Sequence, residues 1–225
     1  MLAMVGCEVI KEDDRLIEVP TPSGTGRTHV LIEFTGFRCV NCPTAANIAH
    51  ELKQVYGEQL IVVAMHPASN PFTQGLYDYT CPAADSIYRL MGGTASTPFP
   101  TGNIDMALTD DRYFCDPATW TGSLARVMAD TASASLTTDY RTSYWLVEDS
   151  VLGVQAMPDG SVNTSYYHRH VLRAASDRPE ISSPEGCDPA HCTMVRLMID
   201  KNDNHIVDAY ETKLTDFSTH SARRH

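Results

Sequence analysis

The chain has no run of apolar residues long enough to cross a bilayer as a helix, which takes about 18 or more. It is also short of positive charge. Seventeen lysines and arginines stand against 28 aspartates and glutamates, a formal net charge of −11. That balance offers no electrostatic footing for nucleic acid or for an anionic membrane surface. No phosphate-binding loop, dinucleotide fingerprint, G-x-S-x-G elbow or basic-aromatic stripe occurs, so the chemistries those motifs serve have no support here. There is no internal repeat and no low-complexity tract. What remains is 225 residues, 43% of them apolar, enough to bury a core in each of two compact units.

What the chain does have is cysteine, seven in all, two of them in Cys39-Val-Asn-Cys42. His29-Val-Leu-Ile-Glu-Phe-Thr35 reads as a buried strand, Gly36 makes a turn, and Pro43-Thr-Ala-Ala-Asn-Ile-Ala-His-Glu-Leu-Lys reads as a helix. A strand, a sharp turn and a C-x-x-C opening a helix form the active-site unit of thioredoxin-like proteins. The unpaired N–H groups and the dipole of a helix N-terminus stabilise a thiolate. A structural disulfide or half of a zinc site uses the same spacing, so the motif alone leaves three uses open. In the redox use, Cys39 is the nucleophilic thiol and Cys42 the resolving one. Glu33 lies six residues before Cys39. Thioredoxins carry a buried acid at that spacing, which shuttles a proton to the resolving cysteine; an inward Glu33 paired with Arg38 is the structural alternative. In thioredoxin-like folds a cis-proline opens a later strand, with its loop facing the C-x-x-C. Phe99-Pro100-Thr101 stands where that segment is expected, with Pro98 as the competing candidate. Three neighbours depart from the thioredoxin pattern: Val40-Asn41 between the thiols, Phe37-Arg38 before them and Pro43 after them.

At the N-terminus, Leu2-Ala-Met-Val-Gly6-Cys7 resembles the end of a bacterial lipoprotein signal, with Cys7 as the residue to be lipidated and no basic segment ahead of it. Lys11-Glu-Asp-Asp14 resembles the surface-export signal of Bacteroidota lipoproteins, and reads equally well as a solvated charge run. Setting Cys7 aside leaves an even set of six, which suggests disulfides in an exported protein. Cys39–Cys42 is the first pair; Cys187–Cys192 closes a short loop; Cys81–Cys115 is what remains, with other pairings open.

The chain divides into a leader and tether (1–28), a thioredoxin-like domain (29–134) and a small mostly-β domain (135–225). Residues 8 to about 28 are polar with scattered proline and glycine and read as a tether, with Leu16-Ile-Glu-Val19 as a short strand within it. After the first strand and a helix over about 40–56, Leu60-Ile-Val-Val-Ala-Met-His66 is a β-branched run of the kind buried parallel strands carry. A helix over Ala83–Met91 ends at Gly92-Gly93, and Asp116-Pro117 opens another that runs to about Ala134. Beyond it, Tyr144–Glu148, Val151–Gln155 and Met194–Ile199 read as short strands between turns.

Two further groupings invite a metal. Asp200, Asn202, Asn204, Asp208 and Glu211 match the ligand spacing of an EF-hand loop, but His205 stands where glycine is required and the flanks read as strands. A hairpin turning at Lys201–Asn204 explains the same residues. His168-Arg-His170 alternate as if on one side of a strand and His191 adjoins Cys192, yet no closed four-ligand zinc set is apparent. No metal or other cofactor is expected.

The segment Val30-Leu-Ile-Glu-Phe-Thr-Gly-Phe-Arg-Cys-Val-Asn-Cys-Pro-Thr-Ala45 resembles the outer-membrane-protein-28-like lipoprotein family of Bacteroidota. Trp145-Leu-Val-Glu-Asp149, Gln155 and Tyr167-His-Arg-His-Val-Leu-Arg173 are similar to that family's second half, and the stretch between Leu124 and Tyr144 is short by comparison. The resemblance implies an α/β chain, a thioredoxin-like domain followed by a β-domain, on a lipid-anchored outer-membrane protein facing the cell surface, with the periplasmic face as the alternative. It supplies no reaction. The residues themselves leave two uses: an interaction module that binds a protein partner, or a thiol–disulfide oxidoreductase whose protein disulfide substrate is attacked by Cys39 and resolved by Cys42. Glu33 would then relay the proton, and Pro100 would shape the docking groove. The membrane is reached through the lipid alone.

Overall fold

A computed structural model of the chain describes residues 26–75, 77–129 and 139–214. Cys7, the Lys11–Asp14 run, the Leu16–Val19 strand and the end of the helix expected to reach Ala134 lie outside the described residues.

The fold is mixed α/β, with one large sheet and few helices. Strand β1 (His29–Phe34) and strand β2 (Leu60–Met65) are buried along their whole length; β2 is apolar throughout, whereas β1 buries His29 and Glu33 along with its apolar residues. They pair in parallel, joined by helix α1 (Cys42–Tyr56), whose crossover supplies the length a parallel pair needs. Side chains alternate between the two faces. Val30, Ile32, Phe34, Ile61, Val63 and Met65 point into one core cluster, while Leu31, Leu60 and Val62 point into another. Helix α1 covers the second cluster with Ala45, Ala49, Leu52 and Tyr56. Helix α3 (Trp120–Ala129) adds Trp120 and Leu124 to it. Helix α2 (Pro82–Leu90) sets Ala84 and Tyr88 into the first cluster. Each large apolar side chain buried in this way contributes about 1.5–3 kcal/mol.

Strand β3 (Thr101–Ile104) lies antiparallel to the outer edge of β1. Segment 139–214 is mostly β: β4 (Tyr140–Glu148), β5 (Val151–Ala156), β6 (Val162–His168), β7 (Val171–Ser176), β8 (Cys192–Asp200) and β9 (Ile206–Lys213). The large sheet runs β3-β1-β2-β7-β4-β8-β9, so strands from 29–134 and from 135–225 share it. The seam is narrow: Ala64 on β2 pairs with Val171 on β7, and the Ala64 N–H donates to the His170 carbonyl at 2.7 Å. Trp145, Leu172, Val195 and Leu197 from the second segment complete the first core cluster. Strands β5 and β6 stand apart as a two-stranded hairpin.

The turn between β8 and β9 falls at Lys201–Asn204, where the EF-hand spacing was noted. Asp200 Oδ1 accepts the Asn202 N–H at 2.7 Å and Asp203 Oδ1 accepts the His205 N–H at 3.0 Å, so these carboxylates serve the turn. His168 and His170 do not share one strand face. Strand β6 ends at His168, and His170 takes a positive φ of 56° as the chain reverses into β7.

Candidate functional site

Cys39 and Cys42 are joined by a disulfide. Two successive turns precede the helix: the Cys39 N–H donates to the Gly36 carbonyl at 3.0 Å and the Cys42 N–H to the Cys39 carbonyl at 3.2 Å. Helix α1 therefore begins at Cys42, not near residue 40, and Cys39 stands in the turn ahead of it. Pro43 occupies the first helical turn, where a missing N–H costs nothing. Gly36 is needed on steric grounds, because a Cβ there would meet the Phe72 carbonyl oxygen at 2.5 Å.

Both cysteines are buried, Cys39 at 2% exposure and Cys42 at 1%. The β5–β6 hairpin is bonded across the turn that carries Cys39. Gln155 Nε2 donates to the Cys39 carbonyl at 2.9 Å, and the Ala156 N–H donates to the Phe37 carbonyl at 2.8 Å. The Phe37 ring sits edge-on to Tyr77 and Tyr79.

Glu33 lies on β1 with the parity of Leu31, facing α1, and is 2% exposed. Burial pushes its carboxyl up to about 8, with the Arg169 charge pulling the other way. Arg38, the partner considered for it, is exposed and donates to the Gln74 carbonyl at 3.3 Å instead. Glu33 shares a cavity of about 20 Å³ with Cys42, Ala46, His66, Gln155, Tyr166 and His168, among others. The proton acceptor and the resolving cysteine of the sequence reading are thus brought to one place. Burial lowers the His168 imidazole to about 4, and its Nε2 lies 3.2 Å from the Val154 carbonyl.

On the other side of Asn41 is an open groove of about 580 Å³, lined by Thr44, Ile48, Phe99, Pro100, Phe114 and Pro117 among others. The Phe99–Pro100 peptide bond is cis, and Pro100 stands directly before β3. Phe99 packs into the same core cluster as the two cysteines.

Among the described residues the other cysteines, Cys81, Cys115, Cys187 and Cys192, are free thiols. Cys81 and Cys115 do not pair. The Cys81 sulfur accepts the Ala84 N–H at the start of α2, the Cys115 sulfur donates to the Gly102 carbonyl, and the two pack against different core clusters. Cys187 and Cys192 do meet, with their sulfurs 3.0 Å apart. Burial pushes both thiols up. Glu148 gathers with them closely enough to form a three-donor metal set. Its Oε1 accepts the Asp188 N–H at 2.7 Å and its Oε2 lies 3.2 Å from Arg173, so a cation would compete with a resident one. Closure to a disulfide is the expected outcome: under glutathione-buffered oxidising conditions, intact-mass analysis should show Cys187–Cys192 joined. Stoichiometric zinc on the reduced protein would overturn this.

His66, Tyr79, Tyr166 and His168 form a contiguous aromatic group beside Cys42; of the four, the sequence singled out His168 alone, and for a metal. Tyr79 and His168 lie 4.5 Å apart by ring centroid, Tyr166 and His168 4.9 Å, and His66 and Tyr79 5.5 Å. They come from three separate segments, so no local spacing marks them.

No protein-family model and no curated sequence matches the chain. Among solved structures, HBP35 of Porphyromonas gingivalis is similar at a TM-score of 0.60 and 14% identity, covering 84% of this chain and 76% of that one. That likeness shows a shared fold with a Bacteroidota protein. A protein of Agrobacterium tumefaciens is similar at a TM-score of 0.48 and 11% identity, covering 81% of this chain and 92% of that one.

Proposed function

We propose that this chain is a thioredoxin-like redox module whose Cys39–Cys42 pair exchanges with disulfides of exported proteins. The observation that carries the reading is the buried Glu33 carboxyl lining the same cavity as Cys42. An acid at about 8 takes and gives a proton near neutral pH, as a general base must. In the reduced form the Cys39 thiolate attacks a substrate disulfide. A Cys39–substrate S–S bond forms as the substrate's own bond breaks, and the departing thiolate takes a proton from water. The Glu33 carboxylate then accepts the Cys42 proton. The Cys42 thiolate attacks Cys39, the Cys39–Cys42 bond forms again, and the second substrate sulfur leaves as a thiolate that takes a proton from water. An external dithiol restores the pair. The groove beside Asn41, with apolar Phe99, Pro100 and Phe114, is suited to an extended substrate segment next to the cysteines.

The test is insulin reduction by dithiothreitol. The wild-type protein should accelerate it, Cys39→Ser and Cys42→Ser should abolish the acceleration, and Cys42→Ser should accumulate a mixed disulfide with substrate. A second reading, a structural disulfide inside an interaction module, is favoured by the low exposure of both cysteines. Wild-type protein that leaves insulin untouched and stays oxidised against millimolar glutathione would establish that reading instead.

We propose further that the module is carried on a lipid anchor at Cys7, outward from the outer membrane, in a lipoprotein of the outer-membrane-protein-28-like kind. Its supports are the Gly6-Cys7 junction, the Lys11–Asp14 run and the Val30–Ala45 segment. Labelled palmitate should enter the wild type and be lost in Cys7→Ser; equal labelling of both would remove the anchor.

A further inference from the structure

His66 is a buried titratable side chain that the redox reading does not use. It follows β2 directly, is 1% exposed, and neither ring nitrogen has a hydrogen-bond partner. The Oε1 atom of Glu33 is buried and unpartnered too. Both residues line the cavity beside Cys42, about 20 Å³ in volume. Buried polar atoms are almost always paired with protein or with ordered water. A polar cavity holds one water once it exceeds about 10–15 Å³, provided the water finds several partners. The size and the orphaned atoms agree.

We propose that this cavity is a water site joining Glu33 to His66, and that His66 is a positioning residue that keeps Glu33 able to ionise beside Cys42. The inference rests on the redox reading for its purpose, though not for its test. A neutral imidazole carries one donor and one acceptor. Its acceptor nitrogen takes one water hydrogen, leaving the other aimed at Glu33 Oε1. Burial holds His66 in that neutral form, and the His168 ring and the Arg173 charge act in the same direction. The other groups around the pair are Tyr79 against the His66 ring, Tyr166 from β6, and Arg169 from the β6–β7 turn. A hydrogen bond received by a carboxylate favours its charged form, so the water opposes the desolvation that raises Glu33.

The experiment is an infrared titration of the Glu33 carboxyl band in the oxidised protein, isolated by subtracting the spectrum of Glu33→Gln. His66→Leu removes both nitrogens and should move the Glu33 midpoint upward from its wild-type value by about one pH unit or more, the worth of one hydrogen bond to a charge. His66→Gln offers a donor and an acceptor again, and should return the midpoint most of the way to the wild-type value. An unmoved midpoint in folded His66→Leu, or an equal shift in His66→Gln, overturns the proposal. Should His66→Leu fail to fold, water-to-protein magnetisation transfer in the wild type decides. A long-lived water beside His66 supports the site and its absence refutes it. A protein inactive on insulin refutes the redox reading but leaves the titration outcome readable.

Discussion

Replacing Asp105 by alanine is expected to cost the fold about 3–5 kcal/mol, the usual penalty for removing one member of a buried charged cluster. Asp105 is 1% exposed. Its Oδ1 accepts the Val30 N–H at 2.8 Å, and its Oδ2 takes His29 Nδ1 at 2.6 Å together with the Arg27 guanidinium. Its backbone binds as well: the Asp105 N–H donates to the Val30 carbonyl at 2.9 Å, and the Asp105 carbonyl accepts the Ile206 N–H at 2.6 Å. One residue after β3 therefore ties the start of β1 to the start of β9. It does so at a φ of +58°, a conformation that aspartate and asparagine tolerate better than alanine. Asp105→Asn keeps an acceptor for the Val30 N–H and the tolerance for that backbone, so its loss should be distinctly smaller. Urea unfolding of both variants at neutral pH measures the difference. A loss for Asp105→Ala under about 1 kcal/mol would mean the cluster is solvated as well without the carboxylate as with it.

Gly153→Val should have the second large effect, on the chemistry as well as on stability. A Cβ at Gly153 would lie 1.7 Å from Tyr79 Oη and 2.6 Å from its ring. Tyr79 has little room to yield. It is buried, its hydroxyl accepts the Val154 N–H at 3.0 Å, and its ring is held among Phe37, His66 and His168. The hairpin must move instead, and it carries the Gln155 and Ala156 bonds that lie across the Cys39 turn. Overpacking of this kind costs about 1–3 kcal/mol. If the hairpin limits access to the disulfide, dithiothreitol should reduce Cys39–Cys42 about tenfold faster in the variant, since about 1.4 kcal/mol in a local opening equilibrium is a factor of ten. Thiol trapping during a reduction time course gives the rate. An unchanged rate in a folded variant would show that the sulfurs are reached from another side, the groove beside Asn41 being the nearest alternative.

Much of the fold was legible locally. The largely apolar stretch that became β1, the unbroken apolar run that became β2, the stretch after Cys42 that became α1, and the turn at Lys201–Asn204 are decided by short-range pattern. Asp116 is a helix-start signal of the same kind: its side chain accepts the Ala118 N–H and opens the short turn that leads into α3. Glu33 was found by spacing alone, since six residues separate it from Cys39 in an extended strand and a fixed turn. The partner of Glu33 was not legible. Arg38 is close in sequence, but the turn sends it outward to Gln74. His168 and His170 were misplaced because alternation implies a shared face only while a strand continues, and this one reverses at His170.

By itself, then, the sequence determined a C-x-x-C between a buried strand and a helix, an acid placed beneath it, and a proline segment positioned to meet it. These follow from hydrophobic period, turn chemistry and backbone restriction, which act within a few residues. Only the tertiary structure decided how reachable that motif is. The β5–β6 hairpin is bonded across the Cys39 turn, and His66, Tyr79, Tyr166 and His168 gather beside Cys42 from distant segments. The rise of the Glu33 carboxyl is an effect of desolvation, which burial imposes. Desolvation depends on what the whole chain packs around a group, and no local spacing encodes it.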